Sequence, residues 1–366
     1  MLMIPGPSDP EPEVLAVLSL PILPHYGEEW MSVYTETTAM LQKVFETKNE
    51  VLIVPIPGQL AVEMAALNLV ARGDQAFVCV DGVFSGAIAK SVEAIGGKAV
   101  VIDSEFGSGP TLEQVKAAVD GTKDVAGKAI FLVQNETSTG AAVDPGEIFR
   151  YCKKKGMLTV LDSISAFGGM PCKSDEWKVD YAIGYSSKAI GGVNGTVPVA
   201  ISKQAWETAA RRKGKIHSTF LDLNSWRRAI EVDSSWGHPY PTSMPTSVIM
   251  ALRKALSMAL DEGLDRRYRR HARAARTLRH GLRGLGLEIF TDSKFYSNTV
   301  SVARVDEKWD AELRRRLVSD YDIMVAGGLG PMKGKVMRIG HMGTSAKKRN
   351  IELTLAAMAR LLEQLR

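Results

Sequence analysis

Short apolar runs alternate with amphipathic stretches along the first three-quarters of the chain. The runs VLIVPI (51–56), FVCV (77–80), AVVID (99–103), AIFLVQ (129–134), LTVLD (158–162), YAIGYS (181–186) and VPVAIS (197–202) are nearly continuous in apolar residues. That pattern predicts strands covered on both faces. Between them, LAVEMAALNLVARGD, SGAIAKSVEAIGG, TLEQVKAAVDG and PGEIFRYCKKKG carry apolar residues at helical spacing and reach a glycine at Gly73, Gly96, Gly121 and Gly156. Glycine ends a helix readily because it lacks the Cβ that penalises left-handed backbone. Strand–helix alternation of this kind predicts an α/β fold built on a mostly parallel sheet.

After residue 245 the pattern changes. Two long helical stretches, TSVIMALRKALSMALDEG (246–263) and DRRYRRHARAARTLRHGLRGLG (265–286), precede a strand at NTVSVARV (298–305). A helix, strands near YDIMVAG and KVMRIGHMG, and a C-terminal helix follow. The expected organisation is an N-terminal segment (1–20) contributing to the active site, a large domain (21–245) and a smaller α+β domain (246–366). In the arginine-rich stretch, Leu264, Tyr268, His271, Ala275, Leu278 and Leu282 share one face. Its arginines are therefore expected on the opposite, solvated face. Tyr268 falls on the apolar face, which leaves no aromatic among the solvated arginines to stack on bases, so no nucleic-acid partner is expected.

Composition narrows the class further. The 366 residues are 45% hydrophobic and 24% charged, with a net charge of +5. These values fit a globular protein with a sizeable core and give no sign of a polyanion partner. Cys79, Cys152 and Cys172 show no CxxC pair and no metal-ligand spacing, which points to reduced thiols in a cytoplasmic protein and to no metal. The N-terminus is broken by prolines and does not read as a signal peptide. No apolar run reaches the ~18 residues of a membrane span.

In an open α/β sheet, ligands gather beyond the carboxyl ends of the strands. Pro57, Gly58 and Gln59 follow the first run and open a helix, whose free N–H groups suit a phosphate. Phe84 sits in DGVFSG, NETSTG follows the fourth run, Asp162 closes the fifth, and Ser186, Ser187 and Lys188 follow the sixth. Each feature alone is ordinary. Together they are what pyridoxal 5'-phosphate requires: a lysine to form an imine, a carboxylate for the ring nitrogen, a flat aromatic for the ring and a helix N-terminus for the phosphate.

In these motifs the sequence resembles the class V pyridoxal-phosphate aminotransferases, and most closely the alanine–, serine– and ureidoglycine–glyoxylate aminotransferase group. The likeness runs from IPGPSDPEPEVL (4–15) through FETKN, GQLAVEMAALNLV, NETSTG, DSISAFGG (162–169) and DEWKVDYAIG (175–184) to GGLG and GKVMRIGHMG (334–343). The 26-residue interval from Asp162 to Lys188 also matches. The resemblance implies fold type I, with a large, mostly parallel-sheet domain and a smaller one. It makes Lys188 the Schiff-base lysine and proton carrier, and Asp162 the partner of the pyridine nitrogen. Phe84 becomes the stacking aromatic, Thr137 the hydroxyl on the phenolic oxygen, and Pro57, Gly58 and Gln59 the phosphate loop. Arg338 becomes the clamp on the substrate carboxylate, which the Gly6 backbone also approaches. Tyr240 and Ser243 take positions that reach a neighbouring subunit's phosphate, implying a homodimer with shared sites.

Two departures stand out. The family usually has Gln where Ser187 stands, and the ureidoglycine-specific positions look like His25 and Tyr240. His25 reads equally as a substrate contact or a packed loop residue. The implied activity is ping-pong transfer of an amino group from a small amino acid (alanine or serine) to a small 2-oxo acid (glyoxylate or pyruvate). The alternatives are a donor such as ureidoglycine, 2-aminoethylphosphonate or pyridoxamine, or a lyase of the desulfurase kind. The last needs a nucleophilic cysteine in the C-terminal half, where the sequence has none after Cys172.

Overall fold

The computed structural model describes residues 1–232 and 237–365. A seven-stranded sheet forms its centre. In spatial order its strands are Glu50–Val54, Val197–Ile201, Tyr181–Ile183, Leu158–Asp162, Ala129–Val133, Gln75–Val80 and Lys98–Asp103. The five strands from Tyr181–Ile183 to Lys98–Asp103 pair in parallel, while Val197–Ile201 runs antiparallel to both of its neighbours. Every residue of Ala129–Val133, Leu158–Asp162 and Val197–Ile201 is buried, as continuous apolar runs require. Ile53, Phe77, Phe131, Leu161 and Val199 belong to one large core.

A second sheet of three strands, Val300–Arg304, Val336–Gly340 and Ala326–Gly327, is antiparallel throughout. Helices Leu264–Gly284, Glu307–Tyr321 and Lys348–Leu365 contribute Leu278, Leu282, Leu313, Leu317, Met358 and Leu361 to its separate core. Ile249, Leu252 and Leu256 of helix Thr246–Glu262 pack instead into the large core. The first residues of the chain extend the second sheet. Met3 N–H donates to Met324 O, and Met3 O accepts from Gly340 N–H, both at 2.8 Å. From there the chain crosses to the loop beyond strand Tyr181–Ile183, where Ser8 N–H donates to Ser187 O at 2.9 Å.

Two differences from expectation matter below. Helix Glu28–Phe45 does not stand out in the sequence, yet it buries Trp30, Tyr34, Leu41, Val44 and Phe45. In helix Leu264–Gly284, Arg267 and Arg279 lie on the buried stripe with Tyr268, His271 and Leu278, not on the solvated face.

Candidate active site

Four adjacent parallel strands end side by side, and each delivers a singled-out residue at its carboxyl end. Asp162 terminates its strand and is paired in register with Val133 and Ile183 on either side, so its backbone is fixed in mid-sheet. Lys188 follows Tyr181–Ile183, Thr137 follows Ala129–Val133, and Phe84 follows Gln75–Val80. Sheet order alone therefore gathers four distant segments into one crevice.

Lys188 is held from above by the N-terminal segment. Its Nζ donates to Pro5 O at 2.5 Å, and its carbonyl accepts from Ser8 Oγ at 2.8 Å. Gly6 takes φ +116°, and a Cβ there would stand 2.7 Å from Lys188 Cε, so both backbone and space call for glycine. Burial holds the Lys188 amine down to about 8. Asp162 opposes that shift and Arg338 adds to it. Burial also pushes Asp162 up to about 7; the Ile164 N–H lowers it, Glu136 raises it and Lys188 lowers it. The Ile164 amide donates to Asp162 Oδ1 at 2.9 Å. The crevice thus holds a carboxyl whose charge burial disfavours and an amine whose proton burial loosens.

Thr137 Oγ1 lies 2.5 Å from Ser165 Oγ. From the second sheet, Arg338 reaches across: its Nε donates to Gly327 O at 2.8 Å and its Nη1 to Thr137 O at 3.5 Å. Arg338 is 8% exposed. Among the described residues no carboxylate forms an ion pair with it, leaving a buried guanidinium open to an anion. Burial lowers its affinity for the proton, and the charge of Glu136 opposes this.

Two helix N-termini face the crevice. Helix Gly58–Leu69 starts after Pro57 with no side-chain cap and no acidic residue in its first turn, so its leading amides are free for an anion. A Cβ on Gly58 would lie 2.8 Å from Ile164 Cδ1, which places this end beside the Asp162 loop. Helix Val83–Ala94 is already closed. Ser138 Oγ accepts from Val83 N–H at 2.9 Å, and Glu136 Oε2 accepts from Ser85 N–H at 2.8 Å. Its first turn presents Phe84, 38% exposed, as a bare aromatic surface. Amine, carboxylate, open helix end and exposed ring together fit pyridoxal 5'-phosphate.

Glu136 is the site residue that sequence reading missed. It is fully buried, and its carboxylate accepts from Ser85 and Ser138 through backbone and hydroxyl alike. A Cβ on Gly82 would lie 2.5 Å from Glu136 Cδ. A lone acid inside NETSTG gave no spacing signal. The neighbouring glycine in DGVFSG, required by this close approach, was the available clue.

The side chains of other expected residues are engaged elsewhere or lie apart from the crevice. The Ser187 hydroxyl donates to Asn194 Oδ1, and exposed Gln59 reaches Ser91 Oγ at 3.3 Å. Tyr240 is buried. Its hydroxyl accepts from Trp30 and donates to the carbonyl of His25, so a phosphate contact would require breaking a bond within its own chain. His25 Nδ1 sits 3.1 Å from His238 Nε2, and Ser243 is exposed. Among the described residues no hydrogen bond joins His25, Tyr240 or Ser243 to Lys188, Asp162 or Arg338.

Comparison with known proteins places the chain in a family. The family model described as aminotransferase class-V matches residues 20–349, and the chain belongs to that family. An uncharacterized aminotransferase of Methanocaldococcus jannaschii is 34% identical over all of this chain and 93% of its own length. An alanine–glyoxylate aminotransferase of Callithrix jacchus is 29% identical over 99% of this chain and 87% of its own. The crystal structure of ureidoglycine–glyoxylate aminotransferase from Bacillus subtilis superposes with a TM-score of 0.93 at 26% identity, over 100% of this chain and 93% of that one. The chain is a pyridoxal-phosphate-dependent aminotransferase. Among its described residues no helix is long and apolar enough to cross a membrane.

Proposed function

We propose that the protein moves the amino group of a small amino acid, alanine or serine, to a small 2-oxo acid, glyoxylate or pyruvate, with Lys188 and Asp162 as its catalytic residues. The observation that carries this is Arg338. It is a buried, unpaired guanidinium beside Thr137, suited to one α-carboxylate. The next arginine along, Arg314, lies near Gly327 but is tied to Asp310 at 2.8 Å. That pairing leaves Arg314 committed rather than offered to a side-chain carboxylate, which favours alanine or serine over glutamate or aspartate.

Bound pyridoxal 5'-phosphate supplies a carbonyl that condenses with amines and a ring that stabilises negative charge at the substrate Cα. Asp162 would hold the proton on the ring nitrogen, and the pairing would relieve its own buried charge. The amides of Gly58 and Gln59 would bind the phosphate, Phe84 would cover the ring, and Thr137 would face the phenolic oxygen. Lys188, whose proton burial loosens, would anchor the carbonyl and carry the proton at Cα. Arg338 and the Gly6 backbone would orient the α-carboxylate.

The exposed apolar side chains Leu15, Leu18, Leu20, Ile22 and Tyr26 cluster in one N-terminal stretch. They support a homodimer with this stretch at the contact, where Ser243 would approach the partner's phosphate and His25 the substrate, while Tyr240 would do so only by giving up its bond to the His25 carbonyl. We read residues 21–245 and 246–366 as the two domains, joined through helix Thr246–Glu262. Three free, buried cysteines support a reducing, cytoplasmic setting. Burial also raises all three thiols, which suits none of them to desulfurase chemistry.

The test is to titrate the cofactor-loaded enzyme with single amino acids and follow the visible absorption band. Alanine or serine should bleach it, and glyoxylate or pyruvate should restore it. Bleaching only by ureidoglycine, 2-aminoethylphosphonate or pyridoxamine would reject the small-donor reading.

A further inference from the structure

Arg267 is charged, 6% exposed and bound through its whole guanidinium. Its Nε donates to Gly168 O at 2.8 Å, its Nη2 to Ala189 O at 2.5 Å and Ile190 O at 3.1 Å, and its Nη1 to Glu262 Oε2 at 2.7 Å. Gly168 lies in the loop that follows Asp162, and Ala189 directly follows Lys188. The two loops touch closely: at Gly168, with φ +79°, a Cβ would lie 2.9 Å from Ile190 Cα. One planar group therefore bridges the arms that carry the amine and the carboxylate.

The same helix ties in a third arm. Arg270 shares Glu262 with Arg267 and donates to Gly343 O at 2.8 Å. His271 Nε2 accepts from Gly343 N–H at 3.1 Å, and its Nδ1 faces Arg267 O at 2.8 Å. Gly343 closes the turn beyond the strand that carries Arg338. Burying an arginine is costly, and a buried ion pair does little for net stability. Its carbonyl partners converge from separate segments, which is what geometric control of those segments requires. Lysine, a point charge, could not span them.

We propose that Arg267 is a positioning residue for amino transfer, fixing the loop after Lys188 against the loop after Asp162. This rests on the reading of Lys188 and Asp162 given above. In the cofactor-free protein, Arg267→Met should speed hydrogen exchange of the amides of residues 189–192 by about tenfold or more, leaving strand Leu158–Asp162 protected. In the loaded enzyme, kcat should fall about tenfold or more with donor KM within about threefold. Arg267→Lys, which keeps the charge near Glu262, should melt close to wild type yet show the same loss of kcat.

A cavity of about 260 Å³ lined by Glu11, Gly191, Glu262, Arg267, Arg270 and Gly343 gives access from solvent. Millimolar guanidinium should accordingly restore part of the kcat of Arg267→Ala and none to Arg267→Met. Wild-type kcat in a folded Arg267→Lys or Arg267→Met, or unchanged exchange at 189–192, would overturn the proposal. A Lys188→Ala enzyme that still transfers amino groups would instead strike down the reading of Lys188, an outcome that exchange data on cofactor-free protein keep separate.

Discussion

Replacing Asp162 with asparagine should stabilise the cofactor-free protein while disabling the enzyme. Burial is the main reason the Asp162 carboxyl is pushed from 3.8 up to about 7. Asparagine keeps the oxygen that accepts from Ile164 and never ionises. A shift of about three units at about 1.4 kcal/mol each sets a ceiling of about 4 kcal/mol. The sign follows from linkage. The folded-state value lies above the unfolded one, so the folded chain holds an extra proton between about pH 4 and pH 7. The stability tied to that proton is present below about pH 4 and is lost as pH rises through about 7. Wild type and Asp162→Asn should therefore melt alike near pH 4 and diverge as pH rises, the variant becoming more stable by up to about 5 °C near pH 8. Loss of Asp162 also removes a charge that favours protonated Lys188, which trims the gain. Thermal melts of cofactor-free protein across this range measure it. A difference independent of pH, or a variant less stable at pH 8, would refute the reasoning.

Arg338→Leu removes charge-assisted hydrogen bonds to the substrate carboxylate worth about 3 kcal/mol in all, so kcat/KM for the amino donor should fall roughly a hundredfold, as initial rates would show. Gly6→Ala forces both a disfavoured φ of +116° and a clash with Lys188; the fraction of protein trapped with cofactor by borohydride should drop steeply. Glu136→Gln turns an amide N–H₂ toward the donors of Ser85 or Ser138 and should cost about 2 kcal/mol of stability in denaturant titrations. It should also lower the pH at which Asp162 titrates, because Glu136 raises that value.

Most of the main sheet was legible because its strands are buried on both faces, which leaves continuous apolar runs. LTVLD was found residue for residue, and the runs at 129–134 and 197–202 overshoot by a single residue. YAIGYS overshot more, since the strand ends at Ile183 and the chain enters a turn at Ser186. Helix Glu28–Phe45 stayed hidden because its buried stripe mixes Trp30, Tyr34 and Thr37 with only a few aliphatic residues, a weak periodic signal. At the site, Asp162 and Lys188 were legible because each follows a strand, so topology brings them together. Arg267 was not, because charge was taken to mean solvent, although its i+4 spacing to His271 puts it on the apolar stripe. Glu136 and the commitment of Tyr240 to Trp30 and His25 depend on contacts across the fold, which no local pattern encodes.

The most direct test of the central claim is to load the enzyme with pyridoxal 5'-phosphate, reduce it with borohydride, digest it and map the modified peptide by mass. The account predicts cofactor mass on Lys188 alone and none after Lys188→Ala. Modification at another lysine, or none in a loaded and active preparation, would contradict it.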